Sequence, residues 1–307
     1  MGPVSTRLYH PVRFIDGNNL TKTAFLGLGG MGQGMAANLA KAGLLTGVYN
    51  RTQAKADEFA DSHGVTAHDN PAAACEAARA IVLCVSADAD VLEMIDALVS
   101  ALSSDHIVID CSTVASDTAR EAGERVAGAG AAFVDAPVSG GTEGAKKGTL
   151  SIMVGAADDV FADIEPVLSA MGKSIAHMGP IGAGQATKAV NQIMVAGINQ
   201  AVCEAMRFAK AVDLPLDKVV DVVGSGAAGN WFVNHRGKTM VADDYAPGFK
   251  LKHHHKDLGI CAHMARQNGG DLPLANRTRE DYEQLMADGH GDEDISALFR
   301  RRVDLFG

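Results

Sequence analysis

Short apolar runs alternate with alanine-rich segments of helical periodicity between Thr23 and about residue 180. Such runs are typical of buried strands, whereas apolar positions three and four residues apart are typical of helices. The runs predict strands at Ala24–Leu28, Thr46–Asn50, Ala80–Val85, His106–Asp110, Ala132–Asp135 and Ser151–Val154. The segments between them predict helices at Met31–Ala42, Ala54–His63, Ala89–Ala101 and Ser116–Gly128. This alternation indicates βαβ units and a parallel sheet covered on both faces.

The pattern changes near Gly179. Gly184–Val212 is interrupted only by Gly197 and predicts one long buried helix, and no convincing strand follows it. Further helices are predicted at Asp217–Val223, Lys252–Arg266, Arg277–Ala287 and Glu293–Val303. The fold class is therefore α/β: an N-terminal Rossmann-like, doubly wound domain (23–183), joined by the long helix to an all-α C-terminal domain (184–307). Residues 1–22 form an extension without the apolar segment of a secretory signal.

Charge and composition narrow the class of partner. The chain has 307 residues and a net charge of −10, which argues against nucleic acid and anionic membranes. No apolar run reaches the roughly 18–20 residues of a membrane helix. Five scattered cysteines without a CxxC pair indicate reduced thiols and a cytoplasmic protein.

A glycine-rich loop follows the first predicted strand. The strand runs into Gly27-Leu28-Gly29-Gly30-Met31-Gly32 and then into a helix. In a dinucleotide-binding loop the first glycine permits the tight turn, the second lets the backbone approach the pyrophosphate, and the third packs the helix on the strand. A glycine-rich turn without a ligand is the alternative, but the order strand, loop, helix, strand favours a nucleotide cofactor.

The residues at the end of the second predicted strand indicate which cofactor the chain binds. NAD sites usually carry Asp or Glu there, whereas this chain has Asn50-Arg51-Thr52. Arg51 can pair with a 2′-phosphate, and the Thr52 hydroxyl can donate to it. The sequence thus predicts NADP, with NAD the less favoured cofactor. The alternative is that Arg51 is only a solvated surface residue.

Two further motifs suggest a substrate site. Asp135-Ala136-Pro137-Val138-Ser139-Gly140-Gly141 follows a strand, and its Ser-Gly-Gly turn would offer backbone N–H groups and a hydroxyl to an anion. On the long helix Lys188, Asn191 and Gln192 share one face among apolar neighbours. Loss of solvation would favour neutral Lys188 and bring its pKa towards a range useful for proton transfer. A structural turn and a snorkelling lysine are the respective alternatives.

These motifs together resemble the β-hydroxyacid dehydrogenase family, which includes 3-hydroxyisobutyrate dehydrogenase, tartronate semialdehyde reductase and the glyoxylate/succinic semialdehyde reductases. The resemblance runs from about Thr23 to Leu305. It rests on four motifs in order: FLGLGGMGQGMAANL, DAPVSGGTEGAKKGTL, GAGQATKAVNQ and FKLKHHHKDL.

The resemblance implies a role for several matched residues. Lys188 matches the catalytic lysine that exchanges a proton with the substrate oxygen, and Ser139, Gly140 and Gly141 match the loop that binds the substrate carboxylate. Thr113 matches a residue near the nicotinamide ribose, and Lys256 matches a lysine that reaches the cofactor. The implied reaction is hydride transfer between NADP and a small carboxylate-bearing aldehyde or hydroxyacid, without a metal.

The chain departs from the family pattern at two places. Many members have Asn four residues after the lysine, where this chain has Gln192 preceded by Asn191, so either amide is a candidate substrate ligand. His253-His254-His255 is also unusual, but consecutive helical residues point about 100° apart and cannot readily chelate one metal. Trp231, expected in a loop with Asn230 and Phe232, is a further candidate substrate contact.

Other functions stay open at this point. Imine reductases share the implied architecture, although their lysine position usually holds another residue. A relative of 6-phosphogluconate dehydrogenase would have a longer helical part. A non-catalytic NADP-binding module is the alternative from another class. The apolar long helix and its helical neighbours suggest a homodimer or homotetramer.

Overall fold

A computed structural model of the chain describes residues 22–301. The chain divides into two compact units, Met1–Gln185 and Ala186–Gly307. The predicted boundary lies two residues earlier, between residues 183 and 184. The predicted N-terminal extension, apart from Lys22, and the last two residues of the final predicted helix lie outside the described residues.

From residue 22 onwards the first unit is built on a mixed sheet of nine described strands, in which β1 to β6 are parallel and follow the order β3-β2-β1-β4-β5-β6. This is the strand order of a doubly wound dinucleotide-binding fold. The strands are β1 Thr23–Leu26, β2 Leu45–Tyr49, β3 Thr66–Ala67, β4 Ala80–Leu83, β5 Ile107–Asp110, β6 Ala132–Asp135, β7 Val138–Ser139, β8 Leu150–Gly155 and β9 Gly172–Gly179. β1, β4 and β5 are buried at every position, as their unbroken apolar runs require.

Among the described residues of this unit, seven helices cover the sheet and bury an apolar core on each of its faces. They are α1 Gly32–Lys41, α2 Gln53–His63, α3 Pro71–Glu76, α4 Asp88–Leu98, α5 Ser116–Gly128, α6 Gly141–Lys147 and α7 Asp158–Met171. The pattern predicted α1, α2, α4 and α5 to within a few residues. It did not predict α3, α6, α7, β3, β7 or β9, because these elements are short or carry mixed polar faces.

The structure around β7 and β8 corrects one prediction. The Ser-Gly-Gly segment is not a simple turn, because Val138 and Ser139 form β7, which pairs antiparallel with Ile152 and Ser151 of β8. Gly141 then begins α6. β8 also pairs with β9 in parallel.

The second unit is helical over its described residues and begins within the long helix α8, Ala183–Ala211. The remaining helices are α9 Leu216–Ser225, α10 Trp231–Val241, α11 Leu251–Gln267, α12 Pro273–Ala287 and α13 Leu298–Arg301, the last preceded by a 3₁₀ turn at Ile295–Ala297. The fold class is thus confirmed: a Rossmann-like sheet is followed by helices that start with one long helix.

Two predictions about the second unit are wrong. Trp231 does not lie in a loop, because Asn230 caps α10 by accepting a hydrogen bond from the Val233 N–H at 2.9 Å and Trp231 is the first helical residue. The final predicted helix does not begin at Glu293. Asp294 instead accepts from the Ser296 N–H at 3.1 Å and starts the 3₁₀ turn.

Within residues 22–301 no helix has both the length and the apolar character that crossing a membrane requires.

Candidate active site

The glycine loop lies at the carboxyl end of β1, where the strand order reverses between β1 and β4. A Cβ on Gly27, whose φ is +104°, would lie 2.3 Å from the Cys84 carbonyl oxygen, and one on Gly32 would lie 1.9 Å from the Gly27 carbonyl oxygen. At Gly29, by contrast, nothing lies within 4 Å of the added atom. Two glycines are therefore needed for packing and one keeps the backbone open to a ligand. This fits a loop that binds a pyrophosphate.

Asn50 holds the glycine loop against the end of β2. Its Oδ1 accepts a hydrogen bond from the Leu28 N–H at 2.9 Å, and its Nδ2 donates to the Thr52 carbonyl at 3.0 Å. Both ends of the Asn50 amide therefore form hydrogen bonds with the backbone and fix its conformation here. The sequence predicted Asn50 as a cofactor residue but did not predict this supporting role.

Arg51 and Thr52 lie beside the loop at the start of α2. The Arg51 side chain is 85% exposed, and its Nη1 lies 3.6 Å from Asp90 Oδ1 of α4. An ion pair this exposed contributes little stability and leaves the guanidinium accessible. Thr52 is the N-cap residue of α2, yet its hydroxyl makes no capping hydrogen bond.

Gln185 fixes the loop after β5, which contains Thr113. Its Nε2 donates to the Ser112 carbonyl at 2.8 Å and its Oε1 accepts from the Val114 N–H at 3.2 Å. The amide therefore binds the backbone on both sides of Thr113. The Ser112 hydroxyl in turn accepts from the Val85 N–H at 2.9 Å, next to the end of β4. Sequence reasoning missed Gln185, because its partners lie about 70 residues away.

The Ser139 segment lies beside the glycine loop. A Cβ on Gly30 would lie 3.7 Å from the Thr142 methyl group, and one on Gly34 would lie 2.8 Å from the Ala145 backbone. Gly140 and Gly141 have φ values of +135° and +62°, which other residues adopt only with strain. Ser139 is half-buried. The first unit thus brings Ser139, Gly140 and Gly141 into the neighbourhood of the predicted cofactor residues, Met31 included.

Asp135 is a second residue whose role sequence reasoning missed. Its buried carboxylate accepts hydrogen bonds from the Gly182 N–H at 2.7 Å and the Gln185 N–H at 2.8 Å. Burial raises the pKa of Asp135, and the backbone hydrogen bonds oppose that rise. The carboxylate caps the first turn of α8, which explains why the helix begins where it does.

Lys188 lies on the buried side of α8 and is only 6% exposed. Loss of solvation lowers its pKa below the usual 10.5, whereas nearby Asp257 acts to raise it and Lys256 to lower it further. An amine in these surroundings gives up its proton more readily than an ordinary lysine.

The amides beside Lys188 belong to one hydrogen-bonded chain. Asn191 Nδ2 donates to Gln192 Oε1 at 2.8 Å, and Gln192 Nε2 donates to Asp257 Oδ2 at 2.6 Å. The other Asp257 oxygen pairs with Lys256 Nζ at 3.1 Å. The second unit therefore brings Lys188, Asn191, Gln192 and Lys256 together around Asp257, a residue that the sequence had not singled out. The motif Lys256-Asp257-Leu258 was the feature of the sequence that could have indicated Asp257.

The three consecutive histidines point to different surroundings. His254 is fully buried, with Nδ1 3.1 Å from Tyr282 Oη and Nε2 3.2 Å from the Gln192 carbonyl. Because that carbonyl only accepts, we assign the proton to Nε2, while Nδ1 accepts from Tyr282. Burial lowers the pKa of His254 to about 4. His255 Nε2 instead lies 3.1 Å from Glu283 Oε1. Residues 22–301 contain no cluster of three or more His, Cys, Asp or Glu side chains suited to a metal ion.

Trp231 is separate from this network. Its ring is stacked on His235 at a centroid distance of 4.5 Å, and the Arg236 guanidinium lies 5.1 Å from the ring centre. The residue is 54% exposed, so it is accessible to a ligand.

Two family descriptions match almost the whole of the described chain. Residues 22–179 match the NAD binding domain of 6-phosphogluconate dehydrogenase. Residues 182–301 match the NAD-binding domain of NADP-dependent 3-hydroxyisobutyrate dehydrogenase. The two matches meet within a few residues of the start of α8.

Individual proteins show the same relationship. The 3-hydroxyisobutyrate dehydrogenase of Pseudomonas aeruginosa is 36% identical over 85% of this chain and 90% of its own length. An NAD-dependent L-serine dehydrogenase of the same organism is 31% identical over 91% of this chain and 97% of its own. The structure of Mycobacterium tuberculosis 3-hydroxyisobutyrate dehydrogenase with L-serine has a TM-score of 0.83 and 31% identity, covering 92% of this chain and 99% of that one. The chain therefore belongs to the 3-hydroxyisobutyrate dehydrogenase-like β-hydroxyacid dehydrogenase family and is an NAD(P)-dependent oxidoreductase.

Proposed function

We propose that this enzyme is an NADP-dependent β-hydroxyacid dehydrogenase that interconverts a short hydroxyacid and its semialdehyde or a related aldehydic acid such as glyoxylate, with Lys188 as general acid and base. The observation that carries the proposal is the burial of the Lys188 amine beside Asp257. When bound, the nicotinamide supplies or accepts the hydride. The chain's own residues must then bind the carboxylate, exclude water and handle one proton.

Lys188 handles the proton in this proposal. In reduction its ammonium form donates a proton to the carbonyl oxygen, and in oxidation its neutral amine removes the proton from the hydroxyl group. The lowered pKa of Lys188 suits both directions, because a proton-transfer group works best when its pKa is near the working pH. Asp257 keeps the pKa from falling further.

Ser139, Gly140 and Gly141 bind the substrate carboxylate in this proposal, with Asn191, Gln192 and Trp231 as further substrate residues. Relatives that are named for 3-hydroxyisobutyrate and L-serine support a substrate that carries a hydroxyl group β to a carboxylate. A panel of short hydroxyacids and aldehydic acids, assayed with both cofactors, would identify the substrate. A cyclic imine in the same panel tests the alternative of imine reduction.

Replacing Lys188 tests the mechanism. In Lys188→Ala we expect turnover to fall by about 10²–10⁴-fold, the usual contribution of a general acid or base. Affinity for NADPH should stay within a few-fold of the wild type, because the cofactor contacts lie elsewhere. Lys252→Ala, which removes an exposed lysine paired with Asp292, is the matched control. Near-normal turnover in Lys188→Ala would exclude this role.

We also propose that Arg51 makes the enzyme prefer NADP. The end of β2 carries Asn50-Arg51-Thr52 and no carboxylate to bind ribose hydroxyls, and the exposed guanidinium can pair with a 2′-phosphate. Arg51→Ala should lower kcat/KM for NADPH by about tenfold or more, as expected for loss of a charge-assisted hydrogen bond of roughly 1.5–3 kcal/mol, and leave the value for NADH nearly unchanged. Asp90→Asn should modestly improve NADPH use, because it removes the carboxylate that competes for Arg51. A wild-type preference for NADH would contradict the proposal.

The remaining expectations follow from the same observations. We propose that Gly27, Gly29, Gly30, Met31, Gly32, Asn50, Thr52, Thr113 and Lys256 contribute to cofactor binding. The five cysteines are free thiols, which supports action in the reducing cytoplasm. We expect a homodimer or homotetramer.

A further inference from the structure

One helix begins in the segment for which we propose carboxylate binding and packs against the helix that follows the glycine loop. The first is α6, which begins at Gly141 directly after Ser139 and Gly140. The second is α1, which begins at Gly32, the last glycine of the loop. The position of segment 139–141 relative to the candidate cofactor site therefore depends on how α6 is held against α1.

The backbones of the two helices come into close contact at Gly34. A Cβ on this residue of α1 would lie 2.8 Å from both the Ala145 carbonyl carbon and the Lys146 nitrogen of α6, so no side chain fits between the helices there. Dispersion contacts of this kind fix the distance between two surfaces but have little directional preference. A hydrogen bond, whose strength depends on its angle, is better suited to fix the orientation of α6.

Asn38 provides such hydrogen bonds one turn further along α1. Its Nδ2 donates to the Ala145 carbonyl of α6 at 2.7 Å and to the Gly34 carbonyl of α1 at 2.9 Å. The Lys146 carbonyl of α6 lies 3.4 Å from the same nitrogen. Carbonyl groups in the last turn of a helix have no partner within it, and an amide carries two hydrogens to donate. One side chain therefore joins the backbone of α1 to the carboxyl end of α6.

We propose that Asn38 is a positioning residue for the substrate, which holds α6 so that segment 139–141 is already arranged to bind a carboxylate. This inference rests on the proposed function, in which that segment binds the substrate carboxylate. Asn38 acts through α6 rather than by contact with the substrate. Without it, part of the binding free energy is spent on ordering the segment. The effect is confined to substrates that carry a carboxylate, because a neutral aldehyde makes no use of the segment.

Steady-state kinetics of Asn38→Asp with acids and neutral aldehydes test the proposal. The substitution keeps the size of the side chain but places an oxygen where the donor faced the carbonyl groups. With NADPH and glyoxylate or succinic semialdehyde, we expect kcat/KM to fall about tenfold or more, chiefly because KM rises. With acetaldehyde and butanal, which lack the carboxylate, kcat/KM should stay within about twofold of the wild type, as should the Kd of NADPH.

Two further variants separate positioning from a loss of stability. Asn38→Ala removes the hydrogen bonds without adding a charge and should show the same selective loss for the acids. Asn70→Ala is the matched control, since Asn70 caps α3 by accepting a hydrogen bond from the Ala73 N–H at 2.9 Å. It should lower the free energy of unfolding in urea, as loss of a helix cap does, yet keep the wild-type preference for the acids over the neutral aldehydes.

Ser139→Ala distinguishes failure of this inference from failure of the proposed function. If segment 139–141 binds the carboxylate, Ser139→Ala should lower kcat/KM for the acids and spare the neutral aldehydes. If it does so while both Asn38 variants affect acids and neutral aldehydes alike, the positioning role is refuted and the proposed function stands. If Ser139→Ala is not selective, or the wild type does not favour the acids, the proposed carboxylate site is wrong and this inference is overturned with it.

Discussion

The two units of this protein build their parts of the chemistry in different ways. In the first unit the backbone defines the candidate cofactor site: three glycines leave room for one another and for a ligand, and Asn50 holds their loop. In the second unit side chains define the candidate site, because Lys188 is buried beside a hydrogen-bonded network that runs through Gln192 and Asp257. The first candidate site consists of residues that lie within a short stretch of sequence. The second depends on which helices meet, since Gln192 and Asp257 are 65 residues apart.

This difference predicts how each unit responds to substitution. A site made of backbone should lose stability or ligand binding sharply when a substitution adds an atom where none fits. A site made of hydrogen-bonded side chains should change gradually and with pH, because its members exchange protons and partners.

A pair of glycine variants gives the largest expected effect. In Gly32→Ala the new methyl group would lie 1.9 Å from the Gly27 carbonyl oxygen, so the free energy of unfolding should fall by about 3 kcal/mol or more. In Gly29→Ala no atom lies within 4 Å, so stability should change by less than about 0.5 kcal/mol while NADPH binding weakens. Urea unfolding and a fluorescence titration with NADPH measure the two effects. Equal loss of stability in both variants would refute this account of the loop.

The buried histidine of the second unit gives an intermediate effect. The pKa of His254 is about 4 in the folded protein and about 6.5 when unfolded. Below pH 6.5 the unfolded chain therefore binds a proton that the folded chain does not, and stability falls as the pH drops towards 4. Between pH 7 and pH 5 the contribution is about 2 kcal/mol.

The variant His254→Asn isolates this contribution. It should be less stable at pH 7 than the wild type but should lose about 2 kcal/mol less between pH 7 and pH 5, as measured by urea unfolding at each pH. His255→Asn, which changes a partly exposed neighbour, is the control and should keep most of the wild-type slope. An unchanged slope in His254→Asn would show that another group causes the pH dependence.

Gln192 gives the smallest and most specific effect. Gln192→Met removes the hydrogen bond that holds the Asp257 carboxylate in place. A carboxylate that is free to turn away should stabilise the ammonium form of Lys188 less. The pKa of Lys188 should then fall further. The midpoint of the pH dependence of kcat/KM for oxidation should consequently move down by about one pH unit or less.

A similar pair on the same helix provides the control. Gln200 Nε2 donates to Asp281 Oδ2 at 2.9 Å, two turns beyond Gln192. Gln200→Met should cost about as much stability, roughly 1–3 kcal/mol for a buried group left unsatisfied, yet leave the pH midpoint unchanged. If both variants move the midpoint equally, the effect belongs to the whole helix rather than to the Lys188 network.

The sequence by itself determined the parts of the protein that depend on local order. Apolar runs predicted β1, β2, β4, β5 and β6, the helical period predicted the long helix, and the glycine spacing predicted the loop after β1. Lys188 could be singled out because its neighbours along the helix are apolar. Each of these inferences uses residues within about one helix or strand of one another.

Tertiary structure alone decided which side chains support those residues. Nothing near Asp135 in the sequence indicates that its carboxylate caps α8, nor that Gln185 brackets Thr113. His254 and Asp257 became partners of α8 only because α11 packs beside it. A hydrogen bond depends on the position of two atoms in space, and when its partners are about 50 or more residues apart the sequence does not record which of many acceptors is near.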